Sequence, residues 1–138
     1  MNRRKVFTVL ILASLMLCCG YGSIFDIAFS ASNPFLDQKK VVPPRMEWSR
    51  EIVSKNGGSF TFRVSSQGPI GVTLITARGY KASIERNDKA FKKEDVILTV
   101  DSKNGQYKGY VTVPAGSSWF IIENQTDKEV EIHLQCFE

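Results

Sequence analysis

One stretch of the sequence decides the fold: FTFRVSSQGPIGVTLITA, residues Phe60–Ala77. Apolar and polar side chains alternate from Phe60 to Ser65, the period-two pattern of a strand with one face in water. The segment Ile70–Ala77 is apolar on both sides, which is typical of a central or doubly covered strand. Gln67-Gly68-Pro69 between them has the chemistry of a turn. The stretch therefore predicts two short strands of a layered β protein.

The rest of the chain beyond Glu47 repeats these patterns. Apolar and polar residues alternate again at 80–85 and 129–136. The segment 119–122 is apolar on both sides, and strand patterns also occur at 95–100 and 107–113. Turn residues separate the segments, among them Asn104-Gly105 and Pro114-Ala115-Gly116. The spacing predicts an all-β fold over 47–138, a single antiparallel, jelly-roll-like β-sandwich of about eight short strands. No helical period is visible, and Arg86–Asp95 is expected to form a surface loop or a single helical turn.

The first thirty residues have the pattern of a signal peptide or membrane anchor. A basic start, MNRRK, precedes the uncharged twelve-residue run Val6–Leu17. Three outcomes remain open: cleavage after Ser30, retention of 6–29 as an anchor, or acylation at Cys18 or Cys19. Acylation is the minority view because neither cysteine follows the small residue that a lipoprotein signal has there. The expected location is outside the cell or at the cell envelope, with membrane contact only through this segment.

Residues 31–46 are predicted to form an extended linker. The segment contains polar residues and three prolines, and Pro43-Pro44 favours an extended backbone that cannot donate to a ladder. A tail docked along the domain through Val41-Val42 is the alternative.

The charge of the chain gives no reason to expect a nucleic-acid partner. The formal net charge is +4, from 18 Lys and Arg and 14 Asp and Glu. Three of those bases and one of those acids lie within residues 1–30, which leaves +2 for the rest. A balance this small predicts no nucleic-acid binding.

The C-terminal half resembles known extracellular sandwiches. The segment from Gly105 to Phe137 has a V-x-V-P-A-G-type turn that leads into an aromatic strand ending in Asn124, followed by an amphipathic last strand. This pattern is similar to the closing strands of the GOLD domain and of the bacterial pre-peptidase C-terminal domain. The resemblance implies a β-sandwich with an accessory role.

Catalytic and metal-binding patterns are not found. The single histidine, His133, is expected to point away from the apolar face, where it is solvated or paired across strands, and no nucleophile motif accompanies it. Neither a metal site nor a cofactor is predicted. Cys136 shares the apolar face with Leu134, which favours a buried free thiol, with pairing between molecules as the alternative.

Exposed aromatic residues are the remaining candidates for function. Tyr110 is expected to face outward together with Lys108, and Trp48 is a further candidate ligand-binding residue. Flat rings pair with the apolar faces of sugars and with peptide side chains. The sequence therefore predicts an exported, non-enzymatic module that acts through surface binding to a protein or glycan, or through a structural role. A carbohydrate-binding module that uses exposed aromatics is the alternative.

Overall fold

The computed structural model describes residues 33–138, which form eight strands and one α-helix. The expectations for residues 1–30, including Cys18 and Cys19, lie outside the described residues. The elements follow in chain order: β1 (Leu36–Val42), β2 (Glu47–Ser54), β3 (Gly58–Ser66), β4 (Ile70–Thr76), α1 (Ala77–Arg86), a 3-10 helix (Lys93–Asp95), β5 (Val96–Ser102), β6 (Gln106–Val113), β7 (Gly116–Asn124) and β8 (Val130–Phe137).

The strands form two four-stranded antiparallel sheets. Sheet A has the order β1-β8-β3-β6 and sheet B the order β2-β7-β4-β5. Successive strands alternate between the two sheets, except that β4 and β5 are neighbours in sheet B, and this is the strand order of a jelly roll. The predicted all-β antiparallel sandwich of eight strands is confirmed.

The core lies between the two sheets and follows the alternation in the sequence. Phe62 and Val64 of β3 are fully buried, as are Leu134 and Cys136 of β8. The Phe62 ring packs on that of Phe120 from sheet B, with their centroids 4.9 Å apart. Burial of one such ring is worth roughly 1.5–3 kcal/mol relative to leaving it exposed.

The strand predicted around Tyr80 and Ile84 is wrong, because these residues belong to helix α1. Thr76 caps its start by accepting a hydrogen bond from the Gly79 N–H, and Asn87 ends it in the left-handed conformation. Tyr80 stacks on Trp119 of sheet B, with ring centroids 3.8 Å apart. The spacing of Tyr80 and Ile84 suits one helix face as well as one strand face, so alternation over five residues could not distinguish the two structures.

Strand β1 differs from the linker predicted over 31–46. Leu36–Val42 pairs with the last strand, β8, along its whole length, from Leu36 opposite Cys136 to Val42 opposite Val130. Val42 is buried in the core. Residues 36–42 are therefore docked on the domain and do not form a free tether, because they pair with β8 as the edge strand of sheet A. The division of the chain at residue 30 stays a prediction.

A buried carboxylate fastens α1 to the segment before β5. Asp95 accepts hydrogen bonds from Arg78 Nε at 2.7 Å and from Thr76 Oγ1 at 3.2 Å, and it forms an ion pair with the same arginine. A Cβ at Gly79 would lie 2.6 Å from the Asp95 Cβ, so the close approach requires glycine here. The Arg78 hydrogen bond holds the pKa of Asp95 below its usual range.

This contact predicts a stability loss in acid. Because the pKa of Asp95 is lower in the folded state, its stabilisation is complete above the unfolded pKa, near 4, and is lost as the pH falls through the folded value. We expect Asp95→Asn to lower the Tm at pH 7 by about 5 °C and by less at pH 2. Thermal melts followed by circular dichroism measure both. Glu94→Gln, at an exposed neighbour of Arg78, is the control and should change little; a Tm difference independent of pH would contradict the account.

Candidate functional site

The outer face of sheet A carries the polar half of the alternating strands. Since Phe62 and Leu134 point into the core, Arg63 and Gln135 point to the opposite side, and the register places these two side by side. Across the sheet, Arg63 also lies opposite Lys108 of β6. The face therefore presents rows of polar side chains that cross from β1 to β6.

On β1 and β8 these side chains are paired with one another. His133 Nε2 lies 2.5 Å from Asp37 Oδ1, and Gln135 Nε2 donates to Asp37 Oδ2 at 3.2 Å. Lys39 forms an ion pair with Glu131 at 3.7 Å. The hydrogen bond with His133 lowers the pKa of Asp37 most, and the hydrogen bond from Gln135 lowers it further. The histidine therefore points outward and is paired across strands, one of the two arrangements predicted for it.

The other half of the face forms a distinct surface, which we call the β3–β6 patch. It consists of the outward residues of the two strands: Ser59, Thr61, Arg63, Ser65, Gln106, Lys108, Tyr110 and Thr112. Tyr110 is 73% exposed, the most exposed of the large hydrophobic side chains that the structure describes. Its register partner is Thr61, and Arg63 and Lys108 form the next row.

Beneath the patch, on the core side of the sheet, β3 and β6 pack closely at Phe62 and Gly109. Gly109 lies opposite Phe62, and a Cβ at that glycine would come within 2.8 Å of the phenylalanine Cε1. The ring fills the space that a side chain would take, and it also packs at 5.6 Å from the Tyr107 ring. Because residue 109 points inward, Lys108 and Tyr110 are both held outward.

The structure brings together two of the three predicted site residues. Tyr110 and Lys108 are neighbours on the patch, whereas Trp48 lies on β2 of the other sheet, opposite Ile122, and packs against the core. Arg63 was missed as a site residue. Its outward direction could be read from the alternation, but its place beside Lys108 depends on the register of two strands far apart in sequence.

A shallow depression continues from the patch toward β8. Its volume is about 280 Å³, and its lining consists of Lys39, Ser65, Ser66, Gln67, Gln106, Glu131 and His133. Ser65 and Gln106 belong to both surfaces. The two together form one continuous polar strip that runs from the exposed tyrosine ring along β3 and β6.

A second cleft, of about 260 Å³, lies on the outer face of sheet B beneath Lys89 and Phe91. Two of its three carboxylates have partners: Glu47 pairs with Lys89 at 3.4 Å, and Asp101 accepts a hydrogen bond from Gln125 at 2.7 Å. Within residues 33–138 no group of three or more His, Cys, Asp or Glu is arranged to hold a metal ion.

Asn124 begins an Asn-Gln-Thr sequence that has the form of a glycosylation site. Its side chain is fully buried, and its amide nitrogen donates to the carbonyls of Val42, Pro43 and Lys128 at 2.7–3.0 Å. The amide oxygen accepts from Thr126. An amide that makes these contacts inside the fold is not accessible to a glycosylating enzyme in the folded protein, so the residue is a structural one.

Cys136 is a buried free thiol, as predicted from the pattern. Burial raises its pKa to about 12. Because the thiolate is the reactive form, both burial and pKa oppose reaction. We expect iodoacetamide at pH 8 to label Cys136 about a hundredfold more slowly in the native protein than in urea. Peptide mass mapping separates this site from the other two cysteines, and equal labelling rates would contradict burial.

No helix within residues 33–138 has the length and apolar character needed to cross a membrane.

Among the comparisons with known proteins, only those with solved structures give a match. No family model matches the chain, and no curated protein matches it. A mitogen from Yersinia pseudotuberculosis is similar in structure, with a TM-score of 0.52 and 12% identity, covering 77% of this chain and 86% of its own. At this identity the similarity shows the fold, a β-sandwich.

Two further solved structures are similar at lower scores. A periplasmic inhibitor of g-type lysozyme from Aeromonas hydrophila has a TM-score of 0.43 and 14% identity, covering 78% of this chain and 89% of its own. A carbohydrate-binding module of Cellvibrio mixtus lichenase 5A, solved with cellotriose, has a TM-score of 0.41 and 16% identity. The match covers 78% of this chain and 90% of the module. The two four-stranded sheets of the structure confirm the sandwich implied by the sequence resemblance, and membership of the GOLD or pre-peptidase families stays a prediction.

Proposed function

We propose that this chain is an exported, non-enzymatic β-sandwich module that binds a glycan on the β3–β6 patch. The observation that carries the proposal is the Tyr110 ring, which is 73% exposed on the outer face of sheet A. An aromatic ring left in water buries apolar area only when a ligand covers it. The other side chains of the patch carry hydroxyl, amide and cationic groups, the kinds of donors and acceptors that bind sugar hydroxyls.

The surroundings of His133 support a non-enzymatic role. Ser65 lies beside the histidine in the β3–β8 register, and Asp37 lies on its other side. Among the described residues, however, no hydrogen bond joins the serine and histidine side chains. The strands β3 and β8 are also paired to neighbours on both sides, so their backbone N–H groups are used in the ladders and not turned toward a developing oxyanion.

Export is proposed from the first thirty residues, whose basic and apolar segments have the form of a signal peptide or anchor. Release by cleavage, acylation at Cys18 or Cys19, and a retained anchor differ in the mass of the mature N-terminus. Intact mass spectrometry of the protein from its native host distinguishes the three outcomes.

A glycan array probed with the full chain tests the binding proposal. We expect at least one glycan to bind, and Tyr110→Ala to weaken binding by about 30-fold, since a central aromatic contact is commonly worth 2 kcal/mol or more. Ile84→Ala, at another exposed apolar side chain on α1, is the matched control and should bind as the parent does.

Two results would contradict the proposal. Absence of binding to every arrayed glycan would remove the glycan as ligand. Turnover of an ester, peptide or glycoside substrate that is lost in His133→Ala would show an enzyme.

A further inference from the structure

Two turns of the domain contain the same tetrapeptide, Ser-Lys-Asn-Gly. One occupies residues 54–57, between β2 and β3, and the other residues 102–105, between β5 and β6. The asparagine, Asn56 or Asn104, is exposed in both turns, and the glycine that follows it has a φ of +73° in both. A difference in reactivity between the two asparagines therefore reflects the contacts that the fold gives to each of them.

An asparagine followed by glycine can cyclise without an enzyme. The backbone nitrogen of the glycine attacks the side-chain Cγ, so that an N–Cγ bond forms and the Cγ–Nδ2 bond breaks. The proton of the glycine N–H leaves with the amide nitrogen as ammonia. Glycine favours this step because no Cβ hinders the approach. Water then opens the succinimide, and its addition at Cγ gives aspartate, whereas its addition at the backbone carbonyl carbon gives isoaspartate.

The fold holds Asn104 away from this reaction. Its Oδ1 accepts hydrogen bonds from the Ser102 hydroxyl at 2.8 Å and from the Gln106 N–H at 3.0 Å. Gly105 is buried, and its carbonyl accepts a hydrogen bond from the Ser66 N–H at 2.8 Å. Both contacts of the side chain must break before its Cγ can meet the Gly105 nitrogen, and the buried glycine restricts the backbone movement that ring closure requires.

The Asn56 side chain is not held in this way. Within residues 33–138 it makes no hydrogen bond, ion pair or ring contact. Gly57 is only half-buried, and its N–H donates a long hydrogen bond, 3.5 Å, to the Ser54 carbonyl. The equivalent bond from Gly105 is 3.4 Å, so the attacking nitrogen is similarly available in both turns. The two turns differ in the asparagine side chain and in the burial of the glycine.

We infer that Asn56 is a site of spontaneous deamidation, which converts it to a mixture of aspartate and isoaspartate, and that the fold protects Asn104 in the identical tetrapeptide. This modification is independent of the proposed binding function. In the folded chain we expect Asn56 to react about tenfold or more faster than Asn104, the ratio expected when two hydrogen bonds must first be broken.

Timed incubation of the full chain at mildly alkaline pH measures both rates. Pepsin digestion in acid stops the reaction, peptide mass mapping locates the modified residue, and chromatography separates the aspartate and isoaspartate peptides. The same incubation in urea gives the reference for the unfolded chain. There we expect similar rates at Asn56 and Asn104, because the tetrapeptides are the same.

Two matched serine substitutions test the cause of the protection. Ser102→Ala removes the hydroxyl that donates to Asn104, and we expect it to raise the rate at Asn104 about fivefold, with no change at Asn56. Ser54→Ala changes the equivalent position of the other turn, where Asn56 has no hydroxyl contact to lose, and it should alter neither rate.

Three results would overturn the inference. The first is an equal rate at the two asparagines in the folded chain, and the second is a faster reaction at Asn104. The third is a rate at Asn104 that stays unchanged in Ser102→Ala, because the side-chain contacts would then not be what protects this residue.

Discussion

Replacing Asn124 with aspartate is expected to lower the free energy of unfolding by about 4 kcal/mol or more, the range seen when a buried network is broken. The amide nitrogen donates to the carbonyls of Val42, Pro43 and Lys128, and it therefore ties β7 to the β1–β2 turn and to the β7–β8 turn. A carboxylate at this position turns an acceptor toward three acceptors in a site without solvent. Urea unfolding followed by circular dichroism measures the loss.

Asn104→Asp provides the matched control. Asn104 uses only its amide oxygen, which accepts hydrogen bonds from the Ser102 hydroxyl and the Gln106 N–H. A carboxylate preserves both contacts at this exposed turn, so the substitution should cost less than about 0.5 kcal/mol. Equal costs at the two positions would show that the Asn124 donor contacts are not what stabilises the turns.

Truncation of Phe62 to alanine is expected to cost about 3–5 kcal/mol, the range for a large ring removed from a core. The ring is fully buried, packs against Phe120 and Tyr107, and covers the backbone of Gly109 beneath the β3–β6 patch. Thr61→Ala, one residue along on the outer face, is the control and should cost little.

A double-mutant cycle with Gly109→Ala tests the packing of this pair. Alone, the new methyl group collides with the Phe62 ring, whose Cε1 lies 2.8 Å from the ideal Cβ position, and should cost about 1–3 kcal/mol. In the Phe62→Ala background the methyl group has room, so the two costs should not add. Additive costs would mean that the ring and the glycine do not share this space.

Local alternation predicted the parts of the structure that depend on one strand at a time. The directions of Tyr110, His133 and Cys136 follow from the period of two, and each side chain lies on the face expected from its neighbours. The apolar residues on both sides of the segment that begins at Ile70 predicted a central or doubly covered strand, and Ile70–Thr76 is a largely buried strand. These features need no knowledge of which strands pair.

Features set by pairing over long sequence distances could not be predicted. Leu36–Val42 becomes a strand only because β8, almost a hundred residues later, offers an edge. Arg63 and Lys108 meet through a register that the intervening strands and turns determine together. Trp48 was counted among surface aromatics, because a strand with the mixed pattern EWSREIVS does not show which side faces the core.

The ligand-binding role of the β3–β6 patch is tested most directly by NMR titration of the full, 15N-labelled chain with the glycan that gives the strongest array signal. We predict that the largest amide shift changes occur at Tyr110, Lys108 and Arg63, with little change along α1. Changes confined to the sheet B cleft around Glu47 and Lys89, or none at saturating glycan, would contradict the assignment of the patch as the binding surface.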